Sequence, residues 1–347
     1  MTVRHGRRPW RPAVVVVAAA AAVLSAACSD DAPSALRPKG PDAERIAGVW
    51  WLMFGLATAV YVVVAGLIIA AAMRGRRAGE GEGEGGGGGG GRWSRITDSG
   101  FIWIGGVIAP VVILGGLAVV TVSTTNDLRR VEPGALRIEV TGYQWWWEVR
   151  YPDTGVVTAN EIHIPAGRPV EMGLRTGDVI HSFWVPELAG KVDQIPGQRN
   201  VIRLQADEPG TFRGFCAEFC GLQHAKMQFL VIADTPADFT RWITRRQRPS
   251  GTPPTEEAAL GQVVFNRNTC GACHMVRGTD ARGTKGPDLS DLADRTTLGA
   301  VSIENNRRNL AEWIKDPQEA KPGNLMPPSH LAPDDVEALL DYLESLR

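Results

Sequence analysis

The chain has 347 residues and a formal net charge of −1. That length holds more than one domain with its own core, and the near-neutral balance excludes a nucleic-acid-binding role built on a positive field. Cysteine is scarce: Cys28, Cys216, Cys220, Cys270 and Cys273 are the full set, and their grouping into short motifs leaves none for an ordinary disulfide framework.

Residues 1–27 read as an export signal. Arg4, Arg7, Arg8 and Arg11 form a basic start, and the apolar run 14–27 is too short to span a bilayer. The run ends LSAAC at Cys28. That cysteine reads either as the acylated residue of a lipoprotein signal or as a neighbour of an ordinary cleavage site. An exported segment, 28–45, follows. Two uncharged apolar stretches, 46–73 and 100–126, each exceed the roughly 20 residues a spanning helix needs. The loop between them, 74–99, carries Arg74, Arg76, Arg77, Arg92 and Arg95 around GEGEGEGGGGGGG. Arginine in a short loop marks it cytoplasmic, and the glycine tract is a flexible linker. The first helix therefore runs inward and the second outward, which places everything after residue 127 outside the cytoplasm.

Residues 127–244 have the pattern of a β-sandwich. LRIEVTGY, WEVRY, EIHI, PVEMGL, NVIRLQA, TFRGF and MQFLVIA are short and rich in β-branched or aromatic residues, with PAG, IPGQ and DEPG as turns. A Pro-rich linker, 245–254, separates them from a helical segment, 255–347. There Val336, Leu339, Leu340 and Leu343 form one helical stripe after Pro333, and Ala259, Leu260, Val263 and Val264 form another.

The densest chemistry is FCAEFCGLQHAKM, residues 215–227. Thiolate and thioether favour soft metals, and imidazole suits copper as well as zinc. Cys216, Cys220, His224 and Met227 are a blue-copper loop with one cysteine to spare, and His181, expected on another loop in GDVIHSFWVPE, is the natural second histidine. Two thiolates can bridge two copper ions, with His181 and His224 each capping one and Met227 and the Glu218 carbonyl as weaker contacts. Such a pair suits an electron relay. The rivals are a Cys216–Cys220 disulfide, which an exported domain permits, and a zinc site, for which methionine is a poor ligand. His163 reads as an ordinary strand residue.

A second redox motif lies at residues 270–274, CGACH. C-x-x-C-H is the attachment signature of c-type haem: Cys270 and Cys273 tether the porphyrin and His274 takes the proximal iron position. Met326, in KPGNLMPP, is the distal candidate, since Met275 adjoins His274 and cannot reach the other face of the ring. His330 is a rival ligand, and a thioredoxin-like pair is the rival for the cysteines, although no βαβ pattern surrounds them.

On these residues the chain resembles two families. C-x-E-x-C-x-x-x-H-x-x-M, the upstream H-S-F-W-V-P and the helical hairpin resemble subunit II of cytochrome c oxidase over residues 40–240. Residues 255–347, with CGACH, GPDL at 286–289 and the methionine loop, resemble a class I cytochrome c. The resemblance implies a multidomain membrane protein: a two-helix transmembrane hairpin, a cupredoxin-like β-sandwich and an all-α cytochrome c domain. It implies the binuclear copper centre CuA on His181, Cys216, Glu218, Cys220, His224 and Met227. A magnesium ion would be reached by the Glu218 side chain at the contact with subunit I. The haem c would be held by Cys270, Cys273, His274 and Met326, with the Pro287 carbonyl supporting His274. YQWWWEV, residues 143–149, matches the family's aromatic patch, with Trp145 as the point where electrons enter. Strand alternation sets Trp146 on the face opposite Trp145 and Trp147.

The function so implied is that of the electron-transfer subunit of a caa-type oxidase in the bacterial inner membrane. Its domains would lie on the periplasmic face. Cytochrome c or a quinol–cytochrome c reductase complex would be the donor, with subunit I, other oxidase subunits and the lipid bilayer as partners and no nucleic acid. Oxygen would be reduced in subunit I, so no catalytic residue is expected in this chain. The rivals are the copper subunit of a nitric oxide or other terminal reductase, and a copper-binding assembly protein.

Overall fold

The structure is a computed structural model that describes residues 32–79, 98–130, 133–250 and 253–347. The expected export signal, Cys28 and the glycine tract lie outside the described residues. Helix α1 (Pro41–Gly79) begins ahead of the apolar run, with Pro41 at its start and Asp42 and Glu44 in its first turn, where the unpaired N–H groups favour proline and negative charge. Helix α2 (Ser99–Leu128) returns beside it. Both expose large apolar side chains, among them Trp51, Phe54, Val62, Ile68, Val112 and Val119. A helix apolar all round needs hydrocarbon as its solvent. Within α2, Ile102–Ile108 is wound as a π-helix just ahead of Pro110, whose nitrogen has no hydrogen to give the carbonyl four residues back. Asp42 is buried and pairs with Arg203 of the sandwich at 2.9 Å, so the membrane helix is fixed to the domain above it.

The sandwich has two five-stranded sheets. One runs β3 (Val156–Ala159), β2 (Trp146–Tyr151), β1 (Leu136–Tyr143), β5 (Val170–Thr176), β8 (Asn200–Leu204); the other runs β4 (Glu161–Pro165), β10 (Gln228–Asp234), β9 (Gly210–Cys216), β6 (His181–Trp184), β7 (Val192–Gln194). The β1–β5 and β4–β10 pairs are parallel and the rest antiparallel. Alternation in β1 sends Ile138 and Val140 into the core. There Phe183 stacks on Phe229 at 4.4 Å and Trp147 meets Phe229 edge-on at 5.1 Å.

Seven of the strands fall where the pattern places them. The short β3, β6 and β7 were not expected, and His181 is the first residue of β6 rather than a loop residue. A three- or four-residue strand carries too few alternations to be read from sequence. His163 is a strand residue, paired with Asp234 at 2.7 Å and stacked on Trp242 at 4.3 Å. Helix α3 (Pro236–Arg246), capped by Thr235, closes this domain.

In the helical domain, α4 (Glu256–Arg267) packs against α7 (Pro333–Ser345), with α5 (Arg307–Lys315) and α6 (Pro317–Ala320) between them in sequence. The stripe expected on α7 is buried as a unit. On α4 the buried residues are Ala258, Gly261, Val264 and Phe265, while Leu260 and Val263 are exposed. The reason is Gly261: a Cβ there would lie 1.9 Å from the Ala338 carbonyl. The contact face is set by backbone approach and not by the bulkiest side chains.

The two domains meet through buried polar groups. Asp291 takes Arg246 at 3.2 Å, Arg295 at 2.7 Å and the Thr158 hydroxyl at 3.0 Å. Glu161 accepts from the amides and hydroxyls of Thr296 and Thr297 at 2.7–3.2 Å.

Candidate metal centres

The register of the second sheet builds the first centre. Phe183 of β6 lies opposite Cys216 of β9, so His181 and the 217–227 loop leave the sheet at the same end. The loop then doubles back into β10, and Gly221, at φ +110°, makes a turn few other residues adopt. His181, Cys216, Cys220 and Met227 are all buried. The Cys216 and Cys220 sulfurs are 3.8 Å apart and unbonded, far beyond the roughly 2.05 Å of a disulfide. Cys216 faces His181 Nδ1 at 3.8 Å and the Glu218 carbonyl at 3.2 Å. Cys220 faces His224 Nδ1 at 3.7 Å and Met227 Sδ at 3.6 Å. Sulfurs at this spacing can each lie the usual ~2.3 Å from a shared soft ion. Each thiolate has its own imidazole, so the donor set fits a pair of coppers.

The protonation pattern agrees with metal binding. A hydrogen bond from Cys220 pulls the Cys216 thiol far down, and the same contact, together with burial, raises Cys220. Without metal the two sulfurs share a proton that a cation displaces. Burial disfavours a charged His181, yet its contacts to Cys216 and Asp178 outweigh burial and raise its pKa.

Asp178 went unread in the sequence. Its carboxylate is 2.8 Å from His181 Nε2 and accepts that nitrogen's hydrogen, which orients Nδ1 toward Cys216. Only its position three residues ahead of His181 could have signalled it. Gly142 is a second missed position: a Cβ there would come within 2.8 Å of the His181 ring. Replacing Asp178 with asparagine should weaken copper retention about 10- to 100-fold, the range for loss of such a supporting partner. Competition with a chelator measures it.

Trp145 and Trp147 are buried while Trp146 is half-buried and stacked on Tyr143 at 5.1 Å. Trp145 Nε1 donates to the Cys220 carbonyl at 2.9 Å, placing its ring against the copper loop. The Glu218 side chain is exposed.

The second centre is held by short 3-10 geometry. Cys270–Ala272 is a single turn, and Cys273 and His274 both return amide bonds to the Cys270 carbonyl. Cys270 and Cys273 are free thiols. His274 Nδ1 donates to the Pro287 carbonyl at 2.8 Å, which leaves Nε2 as the nitrogen with a lone pair to give. Burial lowers the His274 pKa and keeps the ring neutral, as a ligand must be. Gly286 lies against that ring, where a Cβ would sit 2.5 Å from Cε1. Met326 is half-buried on a loop tied by Asn324 Oδ1 to its amide at 2.8 Å and Gln318 Nε2 to its carbonyl at 3.1 Å. His330 is exposed. The thiols, the neutral imidazole and its glycine cradle fit a covalently attached haem.

A buried nest of sulfur and imidazole and a second, half-buried pair of thiols with its histidine, carried above a membrane hairpin, define a membrane-anchored electron carrier with a copper module and a haem module. The family model for "Cytochrome C oxidase subunit II, periplasmic domain" matches residues 155–234, and that for "Cytochrome c" matches residues 258–347. The chain is 35% identical to cytochrome c oxidase subunit 2 of Alkalihalophilus pseudofirmus, over 90% of this chain and 91% of that one. It is 34% identical to the same subunit of Bacillus sp. strain PS3, over 69% and 72% of the two chains, and 29% identical to that of Bacillus subtilis, over 93% and 94%. The chain belongs to the cytochrome c oxidase subunit 2 family, in the form that ends in a cytochrome c domain. It is the electron-transfer subunit of an oxidoreductase complex, associates with subunit I and other oxidase subunits, and uses CuA copper and haem. It is a membrane protein with its folded domains outside.

Proposed function

We propose that His181, Cys216, the Glu218 carbonyl, Cys220, His224 and Met227 hold the CuA pair, and that Cys270, Cys273, His274 and Met326 hold the haem. The observation that carries this reading is the pair of sulfurs 3.8 Å apart, each faced by a separate imidazole nitrogen. The two cofactors supply one-electron chemistry, taking an electron from a donor and passing it toward subunit I, where oxygen is reduced. The chain's own residues hold and shield. Burial of the thiols keeps water from the soft ligands, and Asp178 fixes the His181 ring. Trp145 joins the haem-bearing domain to the copper loop, since its Nε1 bonds the Cys220 carbonyl and its own carbonyl accepts from Lys321. That supports Trp145 as the point where electrons enter the copper domain.

The finer assignments belong to the same reading. The exposed Glu218 carboxylate reaches a magnesium ion at the contact with subunit I. The donor is cytochrome c or a quinol–cytochrome c reductase complex. The chain crosses the inner membrane twice, with both redox domains on the periplasmic face. The domain bounds are an export signal at 1–27, an exported segment at 28–45, spans at 46–73 and 100–126 around a cytoplasmic loop at 74–99, the copper domain from 127 to the end of α3 at Arg246, which takes two residues from the expected linker at 245–254, and the haem domain at 255–347.

Replacing Met326 with leucine tests the split into two centres. The haem should stay attached, because its thioether bonds do not involve Met326. Its potential should fall, since thioether ligation raises it. The copper signal should stay. Spectra and redox titration of the full chain read all three. Loss of copper in this variant would contradict independent sites.

A further inference from the structure

Lys321 is 3% exposed, yet among the described residues no carboxylate pairs with it. Its ammonium donates to the Trp145 carbonyl at 2.7 Å, the Lys226 carbonyl at 3.0 Å and the Gly299 carbonyl at 3.0 Å, which uses all of its donors. Two of those carbonyls belong to the copper domain and one to the haem domain. Burying a cation among dipoles alone is a costly way to join surfaces, so the site calls for a reason beyond cohesion.

The surroundings supply one. The Lys321 carbonyl accepts from Asn324 Nδ2 at 2.8 Å, and Asn324 Oδ1 in turn holds the Met326 amide at 2.8 Å. Lys226 precedes Met227 in the copper loop and donates to the Ala320 carbonyl at 2.6 Å. The Gln223 amide bonds the Pro322 carbonyl. Gly323, at φ +82°, lies so close to Leu222 that a Cβ would meet it at 3.0 Å. The methionine loop and the copper loop are therefore knitted together residue by residue, with Lys321 at the centre. Burial pulls the Lys321 pKa down to about 7, and the nearby Cys220 sulfur works against that shift.

We propose that Lys321 is a positioning residue for electron transfer: closed on the carbonyls of Trp145, Lys226 and Gly299, it pins the Met326 loop to the copper loop, so the haem domain delivers electrons from a fixed seat and not from a swinging tether. This rests on the metal assignments above. The step it serves moves one electron from reduced haem iron to the oxidised copper pair. No bond forms or breaks, and no proton moves.

The test uses the full chain in its assembled oxidase, with the haem reduced by a light flash and the copper band followed in the near infrared. In the parent the transfer rate should not change as glycerol raises the viscosity. In Lys321→Met both cofactor spectra should remain, the rate should fall at least about tenfold, as small displacements of reacting centres do, and it should become viscosity-dependent. The copper potential should also shift downward, since a nearby cation favours the reduced pair. A parent rate that tracks viscosity, or a variant with the parent's rate and potential, would overturn the clamp. If the variant fails to assemble, the parent's viscosity dependence still decides. A parent without the two spectra would overturn the metal assignments instead.

Discussion

Replacing Cys220 with serine should abolish the shared-copper signal and cut electron flow to oxygen by at least about 100-fold, beyond the range for losing a mere supporting partner. Cys220 is the hub of the first centre: its sulfur lies 3.8 Å from Cys216, 3.7 Å from His224 and 3.6 Å from Met227. A hydroxyl is a hard donor that does not ionise here, so the variant retains no second soft bridge. Any copper left is a single ion on Cys216 and His181. Paramagnetic resonance of the oxidised chain separates the two cases, and oxygen uptake of the assembled oxidase gives the rate. The haem bands should be unchanged, because CGACH and its support from Pro287 lie in the other domain. A variant that kept the shared signal would show that Cys220 does not bridge.

The largest stability effect is expected at Asp291. It is 1% exposed and holds Arg246 and Arg295 together across the domain boundary. Replacing it with alanine leaves Arg295 without a carboxylate and Arg246 with Asp294 alone, at 3.3 Å, for which a loss of about 3 kcal/mol, the low end for a broken buried pair, is expected. Denaturant unfolding of the full chain, followed by haem absorbance and tryptophan fluorescence together, measures it. A loss no larger than the ~1 kcal/mol of an exposed pair would mean that water enters and replaces the carboxylate. The same residue gives a pH dependence. Burial alone would raise its pKa, but Arg295 and Arg246 outweigh burial and hold it below the ordinary 3.8. A carboxyl depressed on folding stabilises above its unfolded value, and that stability is lost as pH falls through the lower folded value. The domain contact should therefore hold at neutral pH and weaken only on acidification below about pH 3.8.

Much of the site was legible because its ligands are local. Cys216, Cys220, His224 and Met227 fall on one loop, and chemistry alone selects among metals for such a set. The haem motif is local for the same reason. What could not be read is which side chains the folded chain turns toward one another. Asp178 is an ordinary loop aspartate until β6 turns His181 toward it. Lys321 stands in a stretch that marks it only as a turn residue, and its meaning comes from carbonyls 22, 95 and 176 positions away. Arg246 fell inside the stretch read as a linker, yet it closes α3 and is buried against the haem domain. The stripe on α4 was read from bulky residues, whereas Gly261 decides the contact.

The central claim is that two sulfurs share a pair of coppers. Paramagnetic resonance of the oxidised, metal-replete full chain, with copper counted per chain, tests it most directly. The expected result is two coppers for each chain and one unpaired electron spread over both nuclei, seen as more hyperfine lines than a single nucleus can give. A single-copper pattern, a zinc ion in their place, or Cys216 bonded to Cys220 in that material would contradict it.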